Sequence, residues 1–102
     1  MKCDGIETVV LPDTITKIDN SAFEECTNLR AINIPNSLTS IGLYSFYKCE
    51  SLQSITLGQS VSIVEACAFE DCVSLKTATI LSPSVTMGDG VFSGCINLEE
   101  IV

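Results

Sequence analysis

Cysteine is the residue type in this chain whose spacing first suggests chemistry. The chain has 102 residues, of which six are cysteines. Thiols can pair as disulfides, bind zinc or act as nucleophiles. Cys67 stands alone, whereas the other five recur at intervals of 23 residues. That regular series is Cys3, Cys26, Cys49, Cys72 and Cys95.

The regular spacing argues against most thiol chemistry. An even number of cysteines in a short chain is typical of a disulfide scaffold. Here five occupy one repeated position, and side chains that point in parallel do not present the Cβ geometry of a disulfide. Zinc is disfavoured because the chain has no C-x-x-C and no histidine. We therefore predict buried free thiols in the series, no metal site, and an accessible thiol at Cys67.

Other catalytic groups are scarce. Without histidine, Ser/His/Asp and Cys/His nucleophile pairs are excluded, and the commonest general base is missing. Carboxylates could still act as general acids or bases. However, one repeated position carries basic and acidic residues in alternation along successive repeats. This alternation predicts a ladder of surface ion pairs rather than an acid–base site, so we expect no enzyme and no cofactor. The alternating residues are Lys2, Glu25, Lys48 and Asp71.

The overall charge limits the partners. Thirteen acidic residues against five basic ones give a net charge of -8, which disfavours nucleic acid and anionic lipid because both need a basic surface. No apolar run approaches the length that spans a bilayer, so no membrane insertion is expected. Residues 1–10 have no hydrophobic stretch of signal-peptide length, and the sequence does not assign the protein to a cellular compartment.

The 23-residue interval extends to the apolar residues. Fixed-period self-similarity predicts a solenoid, in which each repeat is one coil that buries its apolar side by stacking on its neighbours. Phe23, Phe46, Phe69 and Phe92 follow the same interval and are predicted to fill the middle of each coil. The aligned aliphatic positions are Ile6/Leu29/Leu52/Leu75/Leu98, Val9/Ile32/Ile55/Ala78/Ile101, Leu11/Ile34/Leu57/Ile80 and Ile18/Ile41/Val64/Met87.

Each coil divides into three parts. Apolar alternation in residues 29–35, LRAINIP, predicts a strand that ends at Pro35. Residues 37–42, SLTSIG, predict a second short strand or extended turn. Residues 44–49, YSFYKC, lack strand alternation and suit a single helical turn with Phe46 and Cys49 inward. Stacking would align the first strands into a parallel sheet along the molecule.

The segment NLRAINIPNSLTSIGLYSFYKC, residues 28–49, resembles the 23-residue leucine-rich repeat of BspA-like proteins, with pattern C-x-x-L-x-x-I-x-I-P-x-x-V-x-x-I-G-x-x-A-F. The resemblance covers the whole chain and departs from the pattern at residues 80–92, where the proline shifts to Pro83 and Ser84 replaces an apolar residue. It implies a curved leucine-rich-repeat solenoid and a family known mainly for surface-exposed adhesion and host binding. It implies no catalytic residues.

The predicted fold is therefore a mostly β leucine-rich-repeat solenoid of about four and a half coils. A parallel sheet would lie on one face, with short turns or single helical turns on the other. We interpret residues 1–102 as one repeat domain. Its coils are a partial coil 1–10, then 11–33, 34–56, 57–79 and 80–102.

Candidate binding residues lie on the outward side of the predicted sheet. Their small side chains suit a broad contact with a partner protein or glycan. Tyr44 and Tyr47 are the only tyrosines, and they are candidate anchors on the opposite side. The outward residues are Thr8, Val10, Ala31, Asn33, Ser54, Thr56, Thr77 and Thr79.

The two ends carry apolar residues without a polar cap, which solenoids need for solubility. Either the chain is a fragment of a longer array, or copies associate through their ends. Two hypotheses therefore remain open. The first is an adhesion-type module that binds a partner protein through its sheet face. The second is a self-associating structural solenoid in the cytoplasm, whose reducing conditions would fit a series of free thiols. The candidate end residues are Ile6, Val9, Leu11, Leu98, Ile101 and Val102.

Overall fold

The computed structural model describes residues 5–102 and forms a β-solenoid of stacked coils. Within this range there is no α-helix, and no helix is long and apolar enough to cross a membrane. The strands are β1 Thr8–Val9, β2 Lys17–Ile18, β3 Ala31–Ile32, β4 Ser40–Ile41, β5 Ser54–Leu57, β6 Ile63–Val64, β7 Thr77–Ile80, β8 Thr86–Met87 and β9 Glu100–Ile101.

Successive coils are parallel and in register at the 23-residue interval; from here on they are numbered by their first strands, so that β1, β3, β5, β7 and β9 belong to the first to fifth coils. Ile18 pairs with Ile41, Ile41 pairs with Val64, and Val64 pairs with Met87. Because each residue lies beside its equivalent in the next coil, one apolar column becomes one continuous line of core side chains. The solenoid prediction is confirmed.

The second strand of each coil forms the continuous sheet. This sheet contains β2, β4, β6 and β8, which lie side by side in chain order. The first strands, which we expected to form the long sheet, are divided into a β1–β3 pair and a β5–β7–β9 sheet. The expectation of one unbroken first-strand sheet was therefore wrong.

Proline accounts for the short first strands. β1 and β3 have two residues each and precede Pro12 and Pro35, whereas β5 and β7 have four residues and precede Gly58 and Leu81. Leu81 donates its backbone N–H to the oxygen of Leu57 at 2.9 Å. Pro35 occupies the equivalent position two coils earlier and has no N–H to donate, so the ladder cannot extend there.

The Asn33 side chain replaces the hydrogen bonds that Pro35 cannot make. Its Nδ2 donates to the Leu11 oxygen at 3.1 Å, and its Oδ1 accepts from the Leu11 N–H at 2.6 Å. One amide thus satisfies both backbone groups of Leu11. Asn33 therefore holds the first two coils together.

The third part of each coil consists of turns, and not of the single helical turn that residues 44–49 suggested. Phe46 and Lys48 donate their N–H groups to the oxygens of Ala68 and Glu70 in the next coil, at 2.7 and 2.9 Å. Tyr47 and Cys49, which alternate with them, donate within their own coil to Tyr44 and Phe46. The turns thus form a third hydrogen-bonded side of the solenoid.

The core is a stack of equivalent side chains, as predicted. Leu29, Leu52 and Leu75 are fully buried, and the four phenylalanine rings stack on one another along the molecule. Phe46 and Phe69 are fully buried, with ring centroids 4.9 Å apart and planes within 3°. The outer contacts, Phe23–Phe46 and Phe69–Phe92, have centroid distances of 5.3 and 5.7 Å.

The fourth coil keeps the repeat despite its altered sequence. Ser84 is exposed, and the neighbouring Val85 packs against the core. β8 still pairs in register with β6, from Ile63 beside Thr86 to Val64 beside Met87. The displaced proline, Pro83, lies in a turn before this strand.

Candidate protein-interaction surface

The outward residues of the first strands form one exposed face, which we call the first-strand face. Its members are paired across coils: Thr8 with Ala31, Ser54 with Thr77, and Thr56 with Thr79. The exposed members are Thr8, Val10, Ala31, Asn33, Ser54 and Thr56, and the half-buried ones are Thr77 and Thr79.

A groove crosses the first-strand face where the sheet is interrupted. It has a volume of ≈ 330 Å³ and lies between the second and third coils. Leu81, with 52% of its surface exposed, adds an apolar side chain to the lining. The lining residues from the predicted face are Ala31, Asn33, Ser54 and Thr56. The structure thus brings together half of the predicted binding residues around one depression.

Asn33 has a second role that the sequence reading missed. Both polar atoms of its side chain are engaged by Leu11, so they are already hydrogen-bonded within the first-strand face. The sequence held a signal for this role, because Asn33 lies two residues before Pro35. Among the residues lining the groove, Ser54 and Thr56 keep hydroxyls that make no hydrogen bond with other described residues.

A second groove lies on the continuous sheet and was not predicted. It has a volume of ≈ 460 Å³ and is lined by Asp19, Ser40, Gly42 and Glu65 among others. At one end Lys17 approaches Asp19 at 3.8 Å in an exposed ion pair. The signal in the sequence is the small side chain of Ser40 and the absence of a side chain at Gly42, which leave a depression in the middle of this sheet face.

Tyr44 and Tyr47 contact one another on the turn side. Their ring centroids are 5.4 Å apart in an edge-to-face arrangement, and the Lys48 ammonium lies 5.4 Å from the centre of the Tyr47 ring. A hydrogen bond with Cys67, followed by electrostatic interactions with Cys67 and Glu70, raises the pKa of Tyr44. The predicted anchors therefore form one cluster with charged neighbours.

The predicted ladder of surface ion pairs was wrong for the described residues. Neither Glu25 nor Asp71 lies within ion-pair distance of Lys48, whose ammonium is instead near the Tyr47 ring. The second ion pair in residues 5–102 joins Arg30 and Glu7 at 3.6 Å, on another side of the coil. Lys2 lies outside the described residues. Exposed long side chains gain little from pairing, so turn geometry and the aromatic ring determine where Lys48 lies.

The thiol series is hydrogen-bonded to the turns. Cys49, Cys72 and Cys95 donate to the carbonyl oxygens of Phe23, Phe46 and Phe69 at 3.2, 3.2 and 3.1 Å. Each thiol thereby satisfies a carbonyl of the preceding coil, which a purely apolar side chain could not do. Burial raises the pKa of the Cys49 thiol to about 12. The pKa of Cys72 is raised by a hydrogen bond with Cys95 and by burial.

The prediction of free thiols holds for part of the series. Cys49, Cys72 and Cys95 are free, but Cys26 is disulfide-bonded, and Cys3 lies outside the described residues. Adjacent strands lie about 4.8 Å apart, within the Cα separation that disulfides span, so parallel side chains do not by themselves exclude the bond. The series therefore no longer favours a reducing cytoplasm. Cys67 is free and half-buried.

The predicted end residues are exposed to different degrees. Ile6 is 45% exposed at one end, and Ile101 and Val102 are 56% and 61% exposed at the other. Val9, Leu11 and Leu98 pack partly against the core. Among the described residues, no group of three or more His, Cys, Asp or Glu side chains could hold a metal ion.

The family model described as "BspA type Leucine rich repeat region" matches residues 1–102 in six copies. The chain belongs to the BspA-type leucine-rich-repeat family. No curated protein sequence matches it at a significant level. The crystal structure of a T. pallidum leucine-rich-repeat protein is similar, with a TM-score of 0.70 and 25% identity, over 92% of this chain and 68% of that chain.

Membership in the BspA-type family confirms the resemblance found in the repeat columns. Solenoids of this family are protein-interaction or structural modules and are generally non-catalytic. The first-strand face and its groove therefore belong to a fold whose extended surfaces commonly bind proteins.

Proposed function

We propose that this BspA-type chain is a non-catalytic recognition module that binds a partner protein through the first-strand face, in the manner of an adhesion repeat. The observation that supports this function is the groove between the second and third coils. Ala31, Asn33, Ser54 and Thr56 line it, and they belong to the two columns that point outward along the whole face.

The chemistry of the groove favours a peptide-like partner over a charged one. Ser54 and Thr56 offer hydroxyls that can donate and accept hydrogen bonds, and Leu81 offers apolar contact. The lining contains no charged residue. An extended segment with small polar and aliphatic side chains matches these properties, and the polar backbone of such a segment would find hydrogen-bonding groups on both sides.

Selection from a random peptide library displayed on phage tests this function and itself supplies a ligand for measurement. Peptides enriched on the purified protein should lose affinity about tenfold or more for Thr56→Lys, because a long charged side chain would fill the groove. Affinity is measured by titration calorimetry with the selected peptide.

Thr86→Lys is the matched control. Thr86 is also an exposed threonine on a strand, but it lies on β8 of the continuous sheet. Selected peptides should bind this variant as they bind the unchanged protein. Peptides that ignore Thr56→Lys, or that lose equal affinity for both variants, would show that the groove is not the binding site.

The second candidate function is self-association through the ends of the solenoid. It is favoured by the exposure of Ile6 at one end and of Ile101 and Val102 at the other, beside the outer strands β1 and β9. Edge strands with unpaired backbone groups are templates for pairing with another chain. A second copy could continue the parallel stack by placing its first coil on the last coil.

Sedimentation velocity over a wide concentration range distinguishes the second candidate. End-to-end association predicts a sedimentation coefficient that rises with concentration, and Ile101→Lys should abolish that rise. Thr56→Lys should leave it unchanged, since Thr56 lies on the first-strand face. A single monomeric species at all concentrations would contradict self-association.

A further inference from the structure

We propose that Tyr44, Tyr47 and Glu70 form a second recognition site, on the turn side, for an arginine-bearing basic segment of a partner protein. This site, which we call the tyrosine site, lies on a different side of the coil from the first-strand face. Its function does not depend on the groove between the second and third coils.

The backbone at Tyr44 is the first indication. Tyr44 has a φ of 55°, in the left-handed region that side chains other than glycine rarely adopt. The fold requires this conformation at the same place in every coil, because Ser21, Cys67 and Gly90 also have positive φ. Glycine at position 90 meets the requirement without strain. A bulky aromatic residue is therefore an unfavourable choice for the fold at this position.

Packing does not compensate for that choice. Tyr44 is 41% exposed and does not belong to the core, and the adjacent Leu43 is 37% exposed. The Tyr44 ring contacts Tyr47 edge to face, and a hydrogen bond with Cys67 raises the pKa of Tyr44. A residue that strains the backbone and stays partly exposed outside the core is better explained by contact with a partner than by stability.

The charges around the rings indicate the chemistry of that partner. Lys48 donates its backbone N–H to the backbone oxygen of Glu70 in the next coil at 2.9 Å, and Glu70 occupies the position equivalent to Tyr47. The charge of the Glu70 carboxylate raises the pKa of Tyr44, so this carboxylate lies near the tyrosines. The Lys48 ammonium, 5.4 Å from the centre of the Tyr47 ring, shows that a cation can occupy an aromatic face here. Tyr44 has no cation of its own among the described residues, and the chain carries a net charge of -8.

Arginine fits this combination best. A guanidinium is planar, so it can stack on an aromatic ring while its N–H groups donate to a carboxylate. The exposed ring of Tyr44 offers the first contact, and the Glu70 carboxylate, at the position equivalent to Tyr47 in the next coil, offers the second. A glycan or an apolar peptide could use the tyrosine rings but would gain nothing from Glu70, and the experiment distinguishes these cases.

The tyrosine site is tested with a peptide of four arginines alternating with glycines, followed by two-dimensional ¹H–¹⁵N NMR. The peptide should shift the resonances of residues around 44, 47 and 70, while a peptide with glutamate in place of arginine should shift none of them. Tyr44→Gly and Glu70→Gln should each weaken binding of the arginine peptide roughly tenfold.

The controls separate a specific site from general attraction between a basic peptide and an acidic protein. Glu99→Gln removes one negative charge in the last coil and should leave the affinity unchanged. Equal weakening by Glu99→Gln and Glu70→Gln, or shifts spread over all acidic residues, would overturn the proposal. Binding that needs Tyr44 but not Glu70 would contradict it as well, and would indicate a glycan or apolar ligand instead.

The stability of the Tyr44 variant supplies an independent readout. Because glycine relieves the left-handed strain, Tyr44→Gly should melt at the same temperature as the unchanged protein or higher. Tyr44→Ser introduces the residue type that Ser21 provides at the equivalent position of the first coil. This variant should bind the arginine peptide as weakly as Tyr44→Gly. A clear fall in melting temperature for both variants would show that Tyr44 is structural, which contradicts the proposal.

Discussion

Replacing Phe46 with alanine is expected to lower the free energy of unfolding by about 3 to 5 kcal/mol. Phe46 is fully buried and lies between two other rings, with centroid distances of 5.3 Å to Phe23 and 4.9 Å to Phe69. Its removal leaves a cavity that the coils above and below cannot fill, because their positions are fixed by backbone hydrogen bonds on three sides. A domain of this size is commonly stable by only about 5 to 15 kcal/mol.

Phe92→Ala is the matched control for Phe46→Ala. Phe92 is half-buried and has one stacking neighbour, Phe69, at 5.7 Å. Its truncation should cost clearly less, because part of its surface already meets water. Urea denaturation followed by far-ultraviolet circular dichroism measures both variants. Equal losses at positions 46 and 92 would mean that the phenylalanine stack does not determine the stability of the coils.

The register of the coils could be predicted from the sequence because stacking repeats the same contact in every coil. When Leu29, Leu52 and Leu75 each lie beside their equivalents, one favourable packing arrangement is made several times. No other offset aligns the apolar columns, so the interval of 23 residues determines which residues are neighbours. The position of the first-strand face followed from the same alternation, and the structure exposes most of the residues expected there.

The continuity of the sheets could not be predicted, because it depends on individual backbone donors. Pro35 removes one donor, and the Asn33 side chain restores the contact between the first two coils. The sheet is nevertheless interrupted between the second and third coils, where the groove lies. The aligned columns of the repeat give no sign of this interruption.

The turns and the thiols were misread for a related reason. Left-handed residues such as Tyr44 and Lys48 have no signature in side-chain chemistry when glycine is absent, so YSFYKC was interpreted as a helical turn. The disulfide at Cys26 distinguishes one member of a series in which Cys49, Cys72 and Cys95 are free. Side chains that are equivalent in sequence thus differ in chemistry along the stack.

The two proposed recognition surfaces share one feature. Each lies where the coils differ from one another: the first-strand groove is lined by Gly58 and Leu81, which stand at the proline position of the repeat, and the tyrosine site lies where Tyr44 occupies the position of Ser21 and Gly90. In a solenoid, positions that follow the repeat are constrained by stacking, so departures from it can be used for recognition without disturbing the core. The core positions of the second coil, Leu38, Ile41 and Phe46, remain fully buried beside both surfaces.

Stability should fall as the pH rises above about 9, because the fold holds two buried thiols in their neutral form. Burial raises the pKa of Cys49 from 9.0 to about 12. Below pH 9 the thiol is protonated in both the folded and the unfolded chain, and its contribution is fully present. Between pH 9 and about 12 only the unfolded chain loses the proton, so the free energy of unfolding decreases by about 1.4 kcal/mol per pH unit.

The same direction holds for Cys72, because a hydrogen bond with Cys95 and burial raise its pKa. The stability lost at high pH through Cys72 therefore adds to that lost through Cys49. Urea denaturation at about pH 8, 9.5 and 10.5 measures the slope, which should become shallower in Cys49→Ala and in Cys72→Ala. Val64→Ala is the control: Val64 is fully buried in the continuous sheet and carries no titrating group, so its truncation should lower the stability but leave the slope unchanged. If all three variants keep the slope of the unchanged protein, other titrating groups cause the alkaline loss, and the buried thiols are not held neutral by the fold.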